Sequence, residues 1–172
     1  TNPALMARVT GEPLQHFASL LRAFPEGPAF YQPVHAAGGA ALEEARAAAA
    51  LAPARVTVKL GATADGVAAA VVLAPEGVSC ALTAAYTPAQ ALVAHEAGCT
   101  WVIPYVDRAE RLGIGGLDLV TAMAAVLAGT GSRTRLLAAS LKTTAQLVDA
   151  VVHGAHDVTA PLDVLRGLPR HR

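Results

Sequence analysis

Lysine is scarce in this sequence: only Lys59 and Lys142 occur among 172 residues, although Lys and Arg together number 13. Acidic residues also number 13, and the arginines are scattered along the chain rather than clustered. A basic stripe for nucleic acid and a cationic face for an anionic membrane are therefore both missing. We expect neither nucleic acid nor a membrane as a partner.

Charge of either sign is sparse as well. Charged residues make up 15% of the sequence, against about 25% in an average soluble domain. This predicts that other subunits cover part of the surface, as in a homo-oligomer. Each apolar run is interrupted before the roughly 20 residues of a membrane span, and the N-terminus lacks a basic-then-apolar signal pattern. A cytoplasmic location is the default expectation.

Cysteine is limited to Cys80 and Cys99, which lie in apolar surroundings without metal-ligand spacing. They are interpreted as two reduced thiols of the core. His153 and His156 have the spacing of a metal pair on a helix, but Gly154 and a strand predicted from Asp157 interrupt that helix. We predict no metal site.

Short β-like runs alternate with Ala-rich segments whose apolar residues recur every three or four positions. With 53% hydrophobic residues, the chain can bury one sizeable core, so residues 1–172 are predicted to form a single domain. The predicted strands are 29–32, 56–60, 78–84, 100–106, 135–140 and 157–161. The predicted helices are 39–52, 65–74, 88–97, 116–127 and 144–152.

This alternation indicates an α/β fold with a parallel sheet, which is either an open doubly wound sheet or a closed barrel. No Gly-x-Gly-x-x-Gly turn follows a strand, so a dinucleotide-binding sheet has little support. Polar residues instead follow one strand after another, and a (β/α)8 TIM barrel gathers such positions at one mouth. These residues are Gln32, Lys59, Thr83, Tyr105 and Ser140.

Six strands do not close a barrel of eight. No strand precedes Thr1, and the chain ends without a full closing helix. The barrel is therefore expected to be incomplete at its N-terminus, by a first strand and helix, and shortened at its C-terminus. Either an upstream segment or a partner chain is expected to complete the sheet.

Lys59 lies within the apolar, β-branched run 55–63. Desolvation of a lysine lowers its pKa, and a neutral amine is the nucleophile that Schiff-base chemistry with a carbonyl substrate requires. The alternative is a lysine that extends its charge to the sheet edge. Lys142 follows Ser140 on a loop and is interpreted as a solvated charge.

Collinear motifs from Thr1 to Asp163 resemble the small transaldolase family, and within it the fructose-6-phosphate aldolases most of all. The motifs are Thr1-Asn2-Pro3, Gln32, Val58-Lys59, Leu82-Thr83-Ala84-Ala85-Tyr86, Pro104-Tyr105-Val106-x-Arg108, Ala138-Ala139-Ser140-x-Lys142-Thr143 and Thr159-x-Pro161-Leu162-Asp163.

The resemblance implies a class I aldolase that needs no cofactor and no metal and acts on a sugar phosphate and an aldehyde. Lys59 would form the Schiff base. Gln32, Thr83 and Tyr105 would hold and polarise the water that serves as general acid and base. The implied substrate-binding residues are Asn2 for the donor hydroxyls, with Arg108 and Ser140 for the acceptor phosphate. Arginine suits phosphate geometrically, and Ser140 is expected at the start of a helix, where free amides favour an anion.

Gln32 and Tyr105 favour the aldolase type, because transaldolase-like members tend to carry Glu and Phe there. The sequence also departs from the family's pattern: the first-strand aspartate has no counterpart, Gly61 replaces a usual proline, and Pro33 follows Gln32 where an uninterrupted strand is expected. The alternatives are a transaldolase that transfers a dihydroxyacetone unit, and a catalytically inactive barrel that serves as a scaffold or complex subunit.

Overall fold

A computed structural model describes residues 1–9 and 11–168. Residues 169–172, at the end of the C-terminal part that was expected to be shortened, lie outside the described residues. Six strands alternate with helices: β1 (Ala29–Tyr31), β2 (Val56–Gly61), β3 (Ser79–Ala85), β4 (Trp101–Pro104), β5 (Arg135–Ala138) and β6 (Asp157–Val158). The α-helices of the described residues are α1 (Pro3–Met6), α2 (Pro13–Ala23), α3 (Gly38–Ala50), α4 (Ala64–Leu73), α5 (Pro88–Glu96), α6 (Val106–Arg111), α7 (Gly116–Gly129), α8 (Thr144–Val152) and α9 (Leu162–Gly167).

The six strands form one parallel sheet in chain order, from β1 to β6. Within the described residues, β1 pairs only with β2 and β6 only with β5, so the sheet is open. Residues after β1 and after β6, at opposite edges of the sheet, nevertheless line one common cavity. The sheet is therefore curled into part of a barrel, as the sequence predicted, with six of the eight strands of a full (β/α)8 barrel.

Alternation along the strands separates two faces of the sheet. Val58 and Leu60 of β2 point outward into the large core formed with the helices. Lys59, between them, points to the concave side, where Ala81, Ile103 and neighbouring residues form a smaller apolar cluster. Successive side chains of a strand point to opposite faces of the sheet. Because Val58 and Leu60 face the helices, Lys59 between them faces the interior of the partial barrel.

The predicted helices are all present, but α1, α2 and α6 were not predicted, and α6 begins at Val106, inside the predicted strand 100–106. The longest of the three is α2. It begins at Pro13, which suits the first turn of a helix, and buries Phe17 and Leu21, four residues apart. The centroid of the Phe17 ring lies 4.9 Å from that of Tyr31 in β1.

Both cysteines are buried free thiols, as predicted, and burial raises the pKa of each.

Tight contact between β2 and α4 positions the chain just after Lys59. Thr63 caps α4 by accepting a hydrogen bond from Gly66 N at 3.3 Å. A Cβ atom on Gly66 would lie 1.9 Å from the Gly61 carbonyl oxygen. Only glycine permits this approach of the helix to the end of the strand.

Gly66→Ala is therefore expected to destabilise the fold by about 1–3 kcal/mol, the usual cost of an overpacked site. Gly129→Ala is the matched control, because no atom lies within 4 Å of a Cβ built at that helical position. The control should be neutral or stabilising by about 0.4–1 kcal/mol. Urea titration of both variants checks the difference, and equal stability of the two would contradict it.

Candidate active site

A cavity of about 770 Å³ opens at the carboxyl ends of the strands. Ligand pockets of about 300–1,000 Å³ are typical of enzymes. All seven residues singled out from the sequence line it, together with Lys142 and several apolar residues. The seven are Asn2, Gln32, Lys59, Thr83, Tyr105, Arg108 and Ser140.

Lys59 lies on β2 with its side chain half-buried in the cavity. Its backbone pairs in register with Ala81 of β3. Desolvation lowers the pKa of Lys59 to about 8. The amine therefore has a substantial neutral fraction near neutral pH, which a nucleophile requires.

Tyr105 follows β4 and is contacted from three directions. Its hydroxyl accepts a hydrogen bond from Thr83 Oγ1 at 3.5 Å. The guanidinium of Arg108 lies over its ring, 5.3 Å from the centroid. The Tyr86 ring meets it edge-on at 6.2 Å. The phenol is thus held inside the cavity by neighbours on β3, on α6 and on the loop after β3.

Backbone strain lies beside this group. In the described residues, Ala84 and Ser140 are the non-glycine residues with positive φ, at 59° and 61°. Ala84 directly follows Thr83, where the β3–β4 register shifts in a bulge. Bulges redirect side chains near active sites, and such strained backbone costs of order 1–3 kcal/mol per residue. The strained residue Ala84 lies where the chain leaves Thr83 and leads to Tyr86.

Gln32 follows β1 and lines the cavity beside a separate polar cluster. The fully buried Tyr31 donates to Glu44 Oε1 at 2.6 Å, and the amides of Val34 and His35 also donate to this carboxylate. Burial alone would raise the pKa of Glu44, but hydrogen bonds from Tyr31, Val34 and His35 lower it overall. Glu44 therefore fixes the chain on both sides of Gln32.

The two arginines of α6 differ in environment. Arg111 pairs with Asp107 at 3.0 Å and is largely exposed, and it is not among the residues that line the cavity. Arg108 lines the cavity and covers Tyr105. The structure thus separates two residues that sequence spacing alone could not.

The structure corrects the surroundings of Ser140. The helix expected to start there is α8, which begins at Thr144 with Thr143 as its cap. Ser140 thus lies on the loop before α8, so the argument from free helix amides does not apply to it. The loop also brings Lys142, whose side chain is exposed, to the cavity. Its exposure agrees with the interpretation of Lys142 as a solvated charge, but its place at the cavity was not predicted.

Asn2 has a structural contact as well as a place at the cavity. Its Oδ1 accepts from Leu5 N at 2.8 Å and caps α1. The carbonyl oxygen is therefore engaged, and the Asn2 amide NH₂ is the group suited to donate to a bound molecule.

Charge in the cavity has one sign. Of the described residues that line it, Lys59, Arg108 and Lys142 are cationic and none is acidic. Such a cavity suits an anion.

In the described chain, no cluster of three or more His, Cys, Asp or Glu side chains could hold a metal ion. His156 Nδ1 instead accepts from Leu136 N at 3.0 Å.

Helices of the described residues are all too short or too polar to cross a bilayer.

The profile of the family described as "Transaldolase/Fructose-6-phosphate aldolase" matches residues 35–172. The sequence is 34% identical over 171 residues to a probable transaldolase of a Caulobacter species, covering 99% of this chain and 78% of the relative. Identity is 33% to a probable transaldolase of Sorangium cellulosum, with the same coverage. It is 30% to one of Bacillus cereus, covering 99% of this chain and 79% of the relative.

These matches span nearly the whole chain and agree with the parallel sheet and the cavity at the carboxyl ends of its strands. The chain therefore belongs to the transaldolase/fructose-6-phosphate aldolase family and is an aldolase-like or transaldolase enzyme.

Proposed function

We propose that this protein is a class I aldolase that cleaves or forms fructose 6-phosphate, or a related sugar phosphate, through a Schiff base on Lys59. The observation that carries the proposal is a half-buried lysine with a lowered pKa, placed with Tyr105 and Thr83 in one cationic cavity. A Schiff base is supported because neutral amines attack ketones, and the protonated imine then serves as the electron sink.

In the cleavage direction, Lys59 Nζ attacks the ketone carbon of the sugar phosphate and gives a carbinolamine, which loses water to form an iminium. For cleavage, the hydroxyl on the carbon beyond the scissile bond loses its proton. That carbon–carbon bond then breaks, the aldehyde departs, and the electron pair is held as an enamine. Protonation of the enamine carbon and hydrolysis of the iminium release dihydroxyacetone and regenerate the amine.

Gln32, Thr83 and Tyr105 supply the polar groups for the proton transfers. We assign them to a bound water, with the Tyr105 phenol as the group that donates to it and accepts from it. The Asn2 amide donates to donor hydroxyls. Since the cavity is cationic at Arg108 and Lys142, and Ser140 adds a hydroxyl, we assign the acceptor phosphate to this side of the mouth.

The second candidate is a transaldolase, favoured because the relatives are themselves named probable transaldolases. The two activities differ in whether the enamine is protonated or is captured by a second aldehyde. Purified protein is incubated with fructose 6-phosphate, with and without erythrose 4-phosphate, and free dihydroxyacetone is measured. Release without an added acceptor supports the aldolase, whereas turnover that requires the acceptor supports the transaldolase.

Arg108→Met is expected to weaken the use of phosphorylated acceptors. Loss of a charge-assisted hydrogen bond of about 1.5–3 kcal/mol corresponds to a rise of about 10- to 150-fold in KM for glyceraldehyde 3-phosphate. KM for unphosphorylated glyceraldehyde should change little. Arg111→Met is the matched control because Arg111 pairs with Asp107 outside the cavity. Equal effects on both aldehydes would contradict a phosphate contact.

A further inference from the structure

Gln90 joins two segments that follow neighbouring strands of the site. Its Oε1 accepts from Tyr86 N at 2.7 Å and from Thr87 N at 3.0 Å, on the loop after β3. Its Nε2 donates to the Ala62 carbonyl at 2.8 Å, just after β2. One amide side chain therefore fixes the loop that follows Thr83 against the segment that follows Lys59.

This bridge acts where the sheet pairing ends. The β3–β4 register shifts at Ala84, and its last pair is Ala85 with Pro104, so the ladder does not extend to Tyr86. Tyr86 lies in that part of the chain, and its ring contacts the edge of Tyr105. The position of the Tyr105 ring relative to Lys59 thus depends on a loop that Gln90 holds.

We propose that Gln90 is a positioning residue: through Tyr86 it fixes the Tyr105 phenol relative to the Lys59 amine for the proton transfers. This inference rests on the proposed function. Gln90 does not line the cavity, so it acts through Tyr86 and Ala62 rather than on the substrate. Displacement of a reacting group by about 1 Å can cost on the order of 100-fold in rate.

A purely structural role is the competing explanation, because Gln90 also forms a capping box with Thr87 at the start of α5. The variant Gln90→Glu separates the two roles. Glutamate is equally suited to this capping position, and its charge is favourable near a helix N-terminus. Its oxygens still accept from Tyr86 and Thr87, but the ionised carboxylate cannot donate to the Ala62 carbonyl.

The experiment measures kcat and KM for fructose 6-phosphate cleavage in four proteins: wild type, Q90E, Y105F and the double variant. We expect Q90E to lower kcat by about 10- to 100-fold with KM and the thermal unfolding midpoint nearly unchanged. In the Y105F background the same substitution should change kcat by less than about threefold, because the group being positioned is already missing.

Three results would overturn the inference while the wild type remains active, two of them kinetic. One is a Q90E variant with the kcat of the wild type, and the other is an equal loss in both backgrounds. A drop in kcat that merely follows a lowered unfolding midpoint would likewise assign Gln90 to stability alone. An inactive wild type overturns the proposed function, and this inference with it.

Discussion

Lys59→Met is expected to abolish both the covalent adduct with dihydroxyacetone and all turnover. In the wild type, borohydride reduction of the iminium should leave a stable secondary amine on Lys59, detected as a mass increase of the intact chain. Methionine has similar length and fills the same half-buried space without an amine. The fold should therefore survive while the nucleophile is lost.

The lowered pKa predicts how imine formation depends on pH. With a pKa of about 8, about a tenth of the amine is neutral at pH 7. At the ordinary value of 10.5, the neutral fraction would be about one part in 3,000. Because only the neutral amine attacks, the initial rate of adduct formation should rise about tenfold per unit of pH below 8 and level off above it.

Lys142→Met is the matched control, since both lysines line the cavity but Lys142 is exposed. This variant should still form the adduct, which shows that the label marks one amine and not lysines in general. An adduct that survives in Lys59→Met would contradict the assignment. A folded wild type that forms no adduct would favour the inactive scaffold.

The parallel sheet, and the gathering of polar residues from successive strand ends at one cavity, could be predicted from the sequence because both follow from local patterns. The side chains of β2 alternate between the two faces of the sheet, and this alternation alone places Lys59 on the face away from the core residues Val58 and Leu60. In a parallel sheet, polar residues at successive strand ends must meet at one edge. Gln32 and Tyr105 in fact lie just beyond their strands, since β1 ends at Tyr31 and β4 at Pro104.

The helix α2 was missed although its sequence carries the signal: Leu14, Phe17 and Leu21 recur at three- and four-residue intervals and mark the side that packs against Tyr31. Features that depend on tertiary contacts were not predictable in this way. The place of Lys142 at the cavity depends on the loop before α8. The bulge at Ala84 replaces a regular strand with a strained residue that is not glycine, so composition gave no signal for it.

Tyr105→Phe is expected to reduce kcat for fructose 6-phosphate cleavage by about 10² to 10⁴, the usual contribution of a general acid or base. Phenylalanine retains the ring that packs against Tyr86 and lies beneath Arg108, and a guanidinium also interacts favourably with a phenyl face. Only the hydroxyl that Thr83 contacts is removed. The KM for the phosphorylated substrate should therefore stay within a few-fold of the wild-type value.

A measurement of imine formation distinguishes a proton-transfer role of Tyr105 from a general disruption of the cavity. Lys59 is intact in Tyr105→Phe, so borohydride with dihydroxyacetone should still trap an adduct, more slowly but to the same final extent. Trapping that is lost together with turnover would mean that Tyr105 supports the attack of the amine itself, or that the cavity has collapsed. Trapping that persists while cleavage stops would place the phenol in the proton transfers after the iminium, at the breaking and forming of the carbon–carbon bond.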